Sequence, residues 1–205
     1  MPHTTKDVEN LKHAPAIPGV IEEILRRWSP RAFSDKPVAA EDLKKIFEAA
    51  HWAASSYNEQ PWRFVVGRKG DEAYKKIFDS LAEFNQKWAK SAPVLILSAG
   101  KKTFSHNGSP NYYGLHDTGA ATAYLTLQTS ALGMHAHSMG GFDKEKARAA
   151  FGIPEDYAIG AVTALGYFGD PDALPDHFKQ QEMSPRSRKP LREIVFAEWE
   201  KPASF

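Results

Sequence analysis

The sequence predicts an α+β protein in which a mixed β-sheet is flanked by helices. Segments with a helical spacing of apolar residues alternate with short β-type runs, which is the pattern of a sheet layered with helices. The run "APVLILSAG", which begins at Ala92, is continuously apolar and therefore typical of a strand buried on both faces. Short connections and a long C-terminal tail leave room for antiparallel pairs, so we expect both pair types in the sheet.

The 205 residues, 42% of them hydrophobic, suit one globular domain. Residues 1–19 are polar and contain prolines, and we interpret them as an N-terminal arm. Residues 20–205 then form a single domain with a C-terminal extension, because the chain after Pro171 is polar and broken by prolines. Helices are predicted over residues 18–29, 34–55, 71–91, 115–133 and 143–152, and strands over 62–67, 92–100, 134–142 and 158–169.

Composition argues against several classes of protein. The formal net charge is only +1, whereas a general nucleic-acid or membrane-surface binder needs a large basic surplus. There is no cysteine, so disulfides and thiolate metal sites are excluded. The N-terminus lacks the apolar run of a signal peptide, and no segment reaches the apolar length that spans a bilayer. We therefore predict a cytoplasmic protein that binds neither nucleic acid nor membrane.

Two basic clusters are candidates for a phosphate site. The first, "RRWSPRAF" (residues 26–33), places three arginines and a serine within six residues. The second, "PRSRKP" (residues 185–190), has Arg186 and Arg188 alternating, so that both point the same way in an extended chain. Arginines at this density repel one another unless an anion lies between them, and their forked donors suit phosphate. The alternative is a solvated surface cluster and a solvated tail.

The stretch "SSYNEQPWRF" (residues 55–64) is unusually rich in hydrogen-bonding groups. Such groups suit a ligand with donors and acceptors on one edge, as a flavin or purine ring has. The alternative is a helix C-terminus capped by side chains, with Pro61 enforcing the break, although capping explains only one or two of them. The candidates for ligand contact are Ser55, Ser56, Asn58 and Gln60.

Gly140 and Gly141 follow a predicted strand. They either form a tight turn or allow close approach of the backbone to a flat ligand, with a free N–H directed at it. The chain lacks the G-x-G-x-x-G spacing, a G-x-S-x-G elbow and a Walker A motif, so dinucleotide-fold, hydrolase and P-loop interpretations lose their main support.

A metal site is the weaker interpretation of the histidines. His135 and His137 share one face of a strand, and His116 with Asp117 could supply further ligands. There is no H-E-x-x-H motif, so we predict no metal.

Taken in order, five pieces of the chain resemble the FMN-dependent nitroreductase family. They are "RRWSPRAF", "AASSYNEQPWRFVV", the helix that begins at Leu115, "MGGFD" and "SRKPL". The second piece is the most specific, and the resemblance extends from about Ile21 to the tail. It implies an intertwined α+β homodimer with FMN bound at the interface by residues of both chains.

The resemblance also implies an activity. Members of the family transfer hydride from NADH or NADPH through the flavin to an electron-poor acceptor, such as a nitroaromatic or a quinone, in a ping-pong reaction that needs no side-chain nucleophile. The sequence does not choose between the two nicotinamides. One alternative is a flavin-binding or storage module without turnover. Another is a structural dimeric domain whose basic clusters are solvated.

Site residues are implied position by position. Arg27, Ser29 and Arg31 resemble the N-terminal contacts to the phosphate and the ring edge, and Arg186 and Arg188 resemble the C-terminal phosphate clamp. Ser55, Ser56 and Asn58 match the segment that reaches the flavin from the partner subunit, with Gln60 a further contact and Trp62 in the core. Gly140 and Gly141 match the turn near flavin N5, and Lys87 matches a contact to the pyrimidine edge.

Three positions depart from the family pattern, and one loop is expected to wall the acceptor pocket. Trp28, which we include among the cofactor contacts, stands where many members have Arg or His. Ala54 replaces a frequent Pro, and Gly140 replaces an acidic residue found in some members. The loop over residues 101–114 is expected to contribute Phe104, Tyr112 and Tyr113.

Overall fold

A computed structural model describes residues 4–204 of the chain. The helices are α1 (Thr5–Lys12), α2 (Glu22–Arg26), α3 (Ala40–His51), α4 (Glu72–Ser80), α5 (Glu83–Ala89), α6 (Gly114–Ala131), α7 (Lys144–Phe151) and α8 (Asp176–Glu182). The strands are β1 (Trp62–Arg68), β2 (Val94–Lys101), β3 (His135–Met139), β4 (Tyr157–Gly166), β5 (Phe196–Glu198) and β6 (Lys201–Pro202). Single 3-10 turns occur at Ser56–Asn58, Pro171–Ala173 and Leu191–Glu193.

The main sheet has the strand order β1-β2-β4-β3, and β5 and β6 form a separate hairpin. The α+β class is confirmed. A mixed sheet was predicted, whereas every strand pairing among residues 4–204 is antiparallel. The connection from β1 to β2 shows why. It leaves and re-enters at the same end of the sheet, where Lys69 N–H donates to the Pro93 carbonyl at 2.8 Å, so β2 must run back along β1.

The sheet separates two apolar layers. Alternate residues of β2 point to opposite sides: Leu95 and Leu97 pack with α4, Trp88 and α7, while Val94 and Ile96 pack with α3 and α6. All four of these side chains are almost completely buried, which confirms the prediction of a strand covered on both faces.

Local signals place both ends of α7 correctly. The Asp143 carboxylate accepts from Lys146 N–H at 2.9 Å and caps α7, and Gly152 ends that helix in the left-handed region at φ +59°. The helix predicted over residues 71–91 is instead two helices. Leu81 is extended between them (ψ 142°) and pairs with Phe142, so the contact to the strand end overrides the helical pattern.

The helix predicted over residues 18–29 is reduced to α2. Gly19 turns the chain at φ +84° just before it. Two apolar residues of the predicted helix, Ile21 and Ile24, are 56% and 46% exposed. The apolar spacing is therefore not explained by packing within one chain.

The N-terminal segment contains an ordered helix. Thr4 and Asp7 form a reciprocal capping box at the start of α1, and Val8 is fully buried against the body of the protein. Residues 1–3 of the predicted arm lie outside the described residues, and the division between arm and domain stays a prediction.

No helix within residues 4–204 is long and apolar enough to cross a membrane. That same part of the chain holds no cluster of three or more His, Asp or Glu suited to a metal ion.

Candidate functional site

The two basic clusters, more than 150 residues apart in sequence, meet in the fold. Burial, followed by the charge of Arg188, lowers the pKa of Arg27. Burial, followed by the charges of Arg27 and Arg188, lowers the pKa of Arg186. Among residues 4–204, none of these three guanidinium groups forms an ion pair with a carboxylate. Three mutually repelling cations without a counter-charge favour an anion as their ligand.

Arg186 and Ser29 fix the geometry of this guanidinium cluster (Arg27, Arg186 and Arg188). Nη1 of Arg186 donates to the carbonyl oxygens of Lys12, Leu25 and Arg27 at 2.9, 2.9 and 3.0 Å, so it closes the ends of α1 and α2. Nη1 of Arg27 lies 3.3 Å from the Ser29 hydroxyl. Arg186 is therefore committed to the backbone through one nitrogen, while Arg27 has only one hydroxyl partner among the described side chains.

Arg31 lies beside the cluster on aromatic surfaces. Its guanidinium carbon is 5.9 Å from the Trp88 ring centre and 5.6 Å from the Phe178 ring centre. Its backbone N–H donates to Glu182, a carboxylate that is only 1% exposed. Burial raises the pKa of Glu182, while the Arg31 N–H and the charges of Lys12 and Arg31 act in the opposite direction.

His137 supports the same loop from the sheet. Its Nδ1–H donates to the Pro30 carbonyl at 2.9 Å, and its ring packs on Trp88 with centres 4.6 Å apart. Burial lowers the pKa of His137 to about 4, and the charges of Arg31 and Arg27 act in the same direction. His137 is therefore neutral near pH 7 and holds the loop without adding charge.

Trp28 differs in position from the other predicted cofactor contacts. Its side chain is 5% exposed and packs edge-on against His135 and Phe168, with Lys12 above its ring at 5.0 Å. The indole therefore belongs to the interior, because the apolar ring is the side chain in this loop that gains most from leaving water.

The segment around Ser55 is a strained turn rather than a helix cap. Helix α3 ends at His51 and is closed by backbone bonds from Trp52, so Pro61 does not terminate it, and the capping interpretation is wrong. Tyr57, Asn58 and Gln60 have φ of 51°, 54° and 51°, a region that side chains with a Cβ rarely adopt. Each such residue costs about 1–2 kcal/mol, and backbone strain of this kind concentrates at functional sites.

Specific hydrogen bonds hold this strained turn. The buried Asp117 carboxylate at the start of α6 accepts from Ser56 N–H at 2.9 Å and from His116 at 3.0 Å. The Ser55 hydroxyl accepts from Gln60 N–H at 3.0 Å. Ser55 and Asp117 therefore shape the turn, whereas the side chain of Asn58 is exposed.

The loop over residues 101–114 is fastened to the turn. Glu59 accepts from both the hydroxyl (2.6 Å) and the N–H (2.9 Å) of Ser105, and the Tyr57 and Phe104 rings meet edge-to-face at 5.6 Å. Tyr57 itself is 84% exposed, and Tyr112 and Tyr113 are also exposed. The predicted pocket residues thus lie near the turn on an open surface of the single chain.

Gly140 and Gly141 form a third part of the candidate site at the end of β3, and no contact among the described residues joins Lys87 to them. The carbonyl of Gly141 accepts from the Asn85 side chain at 2.8 Å and from Ala82 N–H at 3.1 Å. Lys87, on the same helix as Asn85, is exposed and 3.7 Å from Glu83. A Cβ on Gly141 would lie 2.8 Å from Asn85 Nδ2, whereas a Cβ on Gly140 would meet nothing within 4 Å.

This contrast gives a test of ligand approach. We expect Gly140→Ala to leave the melting temperature of the ligand-free protein unchanged, because there is space and no positive φ, but to weaken binding of a flat ligand that contacts this backbone. Gly141→Ala should instead lower the melting temperature by displacing Asn85. Thermal unfolding and ligand titration of both variants separate these effects. Equal ligand affinity in Gly140→Ala and the wild type would contradict close approach at this turn.

Within one chain the predicted contacts thus fall into separate groups. The guanidinium cluster, Ser29 and Arg31 share one region, which β3 connects to Gly140. The strained turn with Ser55, Ser56, Asn58 and Gln60 belongs to another region beside α6, and no hydrogen bond or ion pair among residues 4–204 joins it to the first.

Sequence reasoning missed four residues that organise these regions: Lys12, Asp117, His137 and Glu182. Asp117 and His137 were considered only as metal ligands. The signal for Lys12 and Glu182 was weak, because a lone charge near a helix end is usually solvated, and only the fold buries these two.

The sheet, its two helical layers and the guanidinium cluster define an α+β protein with a candidate anion site. The model of the nitroreductase family matches residues 24–167. The chain therefore belongs to the nitroreductase family, and this confirms the resemblance seen in the sequence.

Individual relatives agree with this assignment. The chain is 30% identical over 202 residues to an NADH dehydrogenase of Thermus thermophilus, covering 83% of this chain and 92% of the relative. A crystal structure of an oxidoreductase containing FMN is similar, with a TM-score of 0.84, 40% identity and coverage of 90% and 94% of the two chains. An FMN-dependent nitroreductase of Clostridium difficile superposes with a TM-score of 0.57 at 25% identity, covering 69% and 83%.

Proposed function

We propose that this protein is an FMN-dependent oxidoreductase that uses NADH or NADPH to reduce an electron-poor acceptor. The observation that carries the proposal is the guanidinium cluster, whose charges have no carboxylate partner among the described residues. The chain belongs to the nitroreductase family, and similar proteins are named for FMN and NADH. These names support FMN as the anion that the guanidinium cluster binds and a nicotinamide as the electron donor.

The residues present fit FMN. Arg27 and Arg188 provide forked donors for a phosphate, and Arg31 has a buried Nε without a partner among the described atoms. Gly140 leaves open space beside its backbone. The turn at Ser56–Asn58 presents an exposed amide and an aromatic ring, which suit the edge and face of a flavin.

The chemistry that FMN supplies when bound is hydride transfer, and this chain contributes binding and orientation. The arginines would hold the phosphate, and the backbone N–H at Gly140 would face the reactive edge of the ring. Neutral His137 holds the loop at Pro30 through its hydrogen bond and adds no charge of its own to the phosphate site. The nicotinamide and a nitroaromatic or quinone acceptor would occupy the same space in turn, which gives ping-pong kinetics.

We further propose that the active unit is a homodimer. No hydrogen bond or ion pair among residues 4–204 joins the strained turn to the guanidinium cluster, and a second copy would bring the turn of one chain to the cluster of the other. Ile21, just before α2, and Tyr124 and Leu127 of α6 line a groove of about 310 Å³, in which Ile21 and Tyr124 are exposed. Burying such a surface in a partner would explain the apolar spacing that α2 leaves exposed. The cytoplasmic location stays a prediction.

The decisive experiment is a visible spectrum followed by anaerobic reduction. The purified protein, reconstituted with FMN, should show a flavin spectrum that NADH or NADPH bleaches, and a quinone or nitroaromatic should restore it. A flavin spectrum that neither nicotinamide bleaches would favour the storage module. A protein that takes up no FMN would refute the proposal, and a monomer by light scattering at micromolar concentration would refute the homodimer.

A further inference from the structure

Lys12, the last residue of α1, connects the N-terminal helix to the tail that carries Arg186 and Arg188. It is a lysine with only 7% of its surface exposed. Its ammonium group donates to the carbonyl oxygens of Gln181 (2.8 Å) and Ser184 (2.6 Å), where α8 ends. Its own carbonyl accepts from Arg186 at 2.9 Å. Lys12 therefore holds the chain just before the C-terminal arginines and contacts Arg186 itself.

The same contact extends to the N-terminal arginines through Glu182. This buried carboxylate accepts from the Arg31 backbone, and Lys12 is close enough for its charge to act on it. Lys12 also lies over the Trp28 ring at 5.0 Å. Both sides of the guanidinium cluster are thus attached to the end of α1.

We infer that α1 is a positioning element of the anion site and that Lys12 is its central positioning residue. Both α1 and α8 lie outside residues 24–167, the part that the family model matches. The inference rests on the proposed function in one respect, namely that the guanidinium cluster binds the phosphate of FMN. Lys12 commits two of its three N–H donors to carbonyl oxygens at the end of α8, and we infer that it acts through Arg186 and the tail.

The test compares FMN with riboflavin, which has the same ring system without the phosphate. In Lys12→Met the stem over Trp28 is retained and the anchor of the tail is lost. We expect FMN affinity to fall by about tenfold, the size of a lost hydrogen bond to a charged group, while riboflavin affinity is unchanged. Flavin fluorescence titration measures both. Lys6→Met is the matched control, because Lys6 is an exposed lysine on the same helix and its removal should change neither affinity.

A second variant separates position from charge. Val8→Ala removes no charge but loosens α1, because Val8 is fully buried. It should also weaken FMN relative to riboflavin, and it serves as the test if Lys12→Met does not fold. FMN affinities of Lys12→Met and Val8→Ala equal to wild type, or equal losses for FMN and riboflavin, would overturn the inference. A wild-type protein that binds no FMN would refute the proposed function instead.

Discussion

Arg27→Gln is expected to weaken FMN binding by about 10- to 100-fold, the range for losing a hydrogen bond between charged groups. Arg27 is half-buried, its one side-chain partner among the described residues is Ser29, and its nearest charges repel it. Its donors are therefore available to a phosphate. Without ligand, the substitution removes repulsion from Arg186 and Arg188, so the melting temperature of the apoprotein should stay constant or rise.

Arg26→Gln is the control for Arg27→Gln, since Arg26 is the adjacent, exposed arginine and carries the same charge. Titration with FMN at low and high salt measures the effect, because screening reduces the contribution of the phosphate. The wild type should lose affinity with salt more steeply than Arg27→Gln. Equal affinities in Arg26→Gln and Arg27→Gln would show that Arg27 has no special place in the site.

The second large effect concerns acid stability through His137. Its pKa is lowered from 6.5 to about 4 by burial, so the folded protein binds fewer protons than the unfolded chain between these values. Stability is therefore fully present above pH 6.5 and decreases as the pH falls toward 4. The two values correspond to about 3 kcal/mol lost across the window.

His137→Asn isolates this contribution. Asparagine can keep a donor for the Pro30 carbonyl but does not titrate. Its free energy of unfolding, measured with urea between pH 7 and 4, should decrease less steeply than that of the wild type. The raised pKa of Glu182 acts in the opposite direction, but it is present in both proteins and cancels in the comparison. Parallel pH profiles would exclude His137 as the source.

Local sequence determined the elements whose signals lie within a few residues. The apolar run of β2, the Asp143 cap and the Gly152 stop of α7 were all predicted, because propensity and capping depend on neighbours in the chain. The family could also be inferred, since its motifs keep their order along the sequence. The same reasoning extended α3 into the segment that Asp117 holds as a turn, and it joined α4 to α5, which the pairing of Leu81 with Phe142 separates.

What the sequence by itself determined is the α+β class, the four strands of the main sheet and the kind of ligand that two arginine clusters favour, whereas the β5–β6 hairpin in the tail was not predicted. Only the tertiary structure decided that these clusters meet, that Trp28 is internal, and that Lys12, His137 and Glu182 hold the loop and the tail around them. The physical reason is that charge repulsion, burial and carbonyl capping act through space. A contact between residues about 150 positions apart produces no pattern in the sequence around either residue.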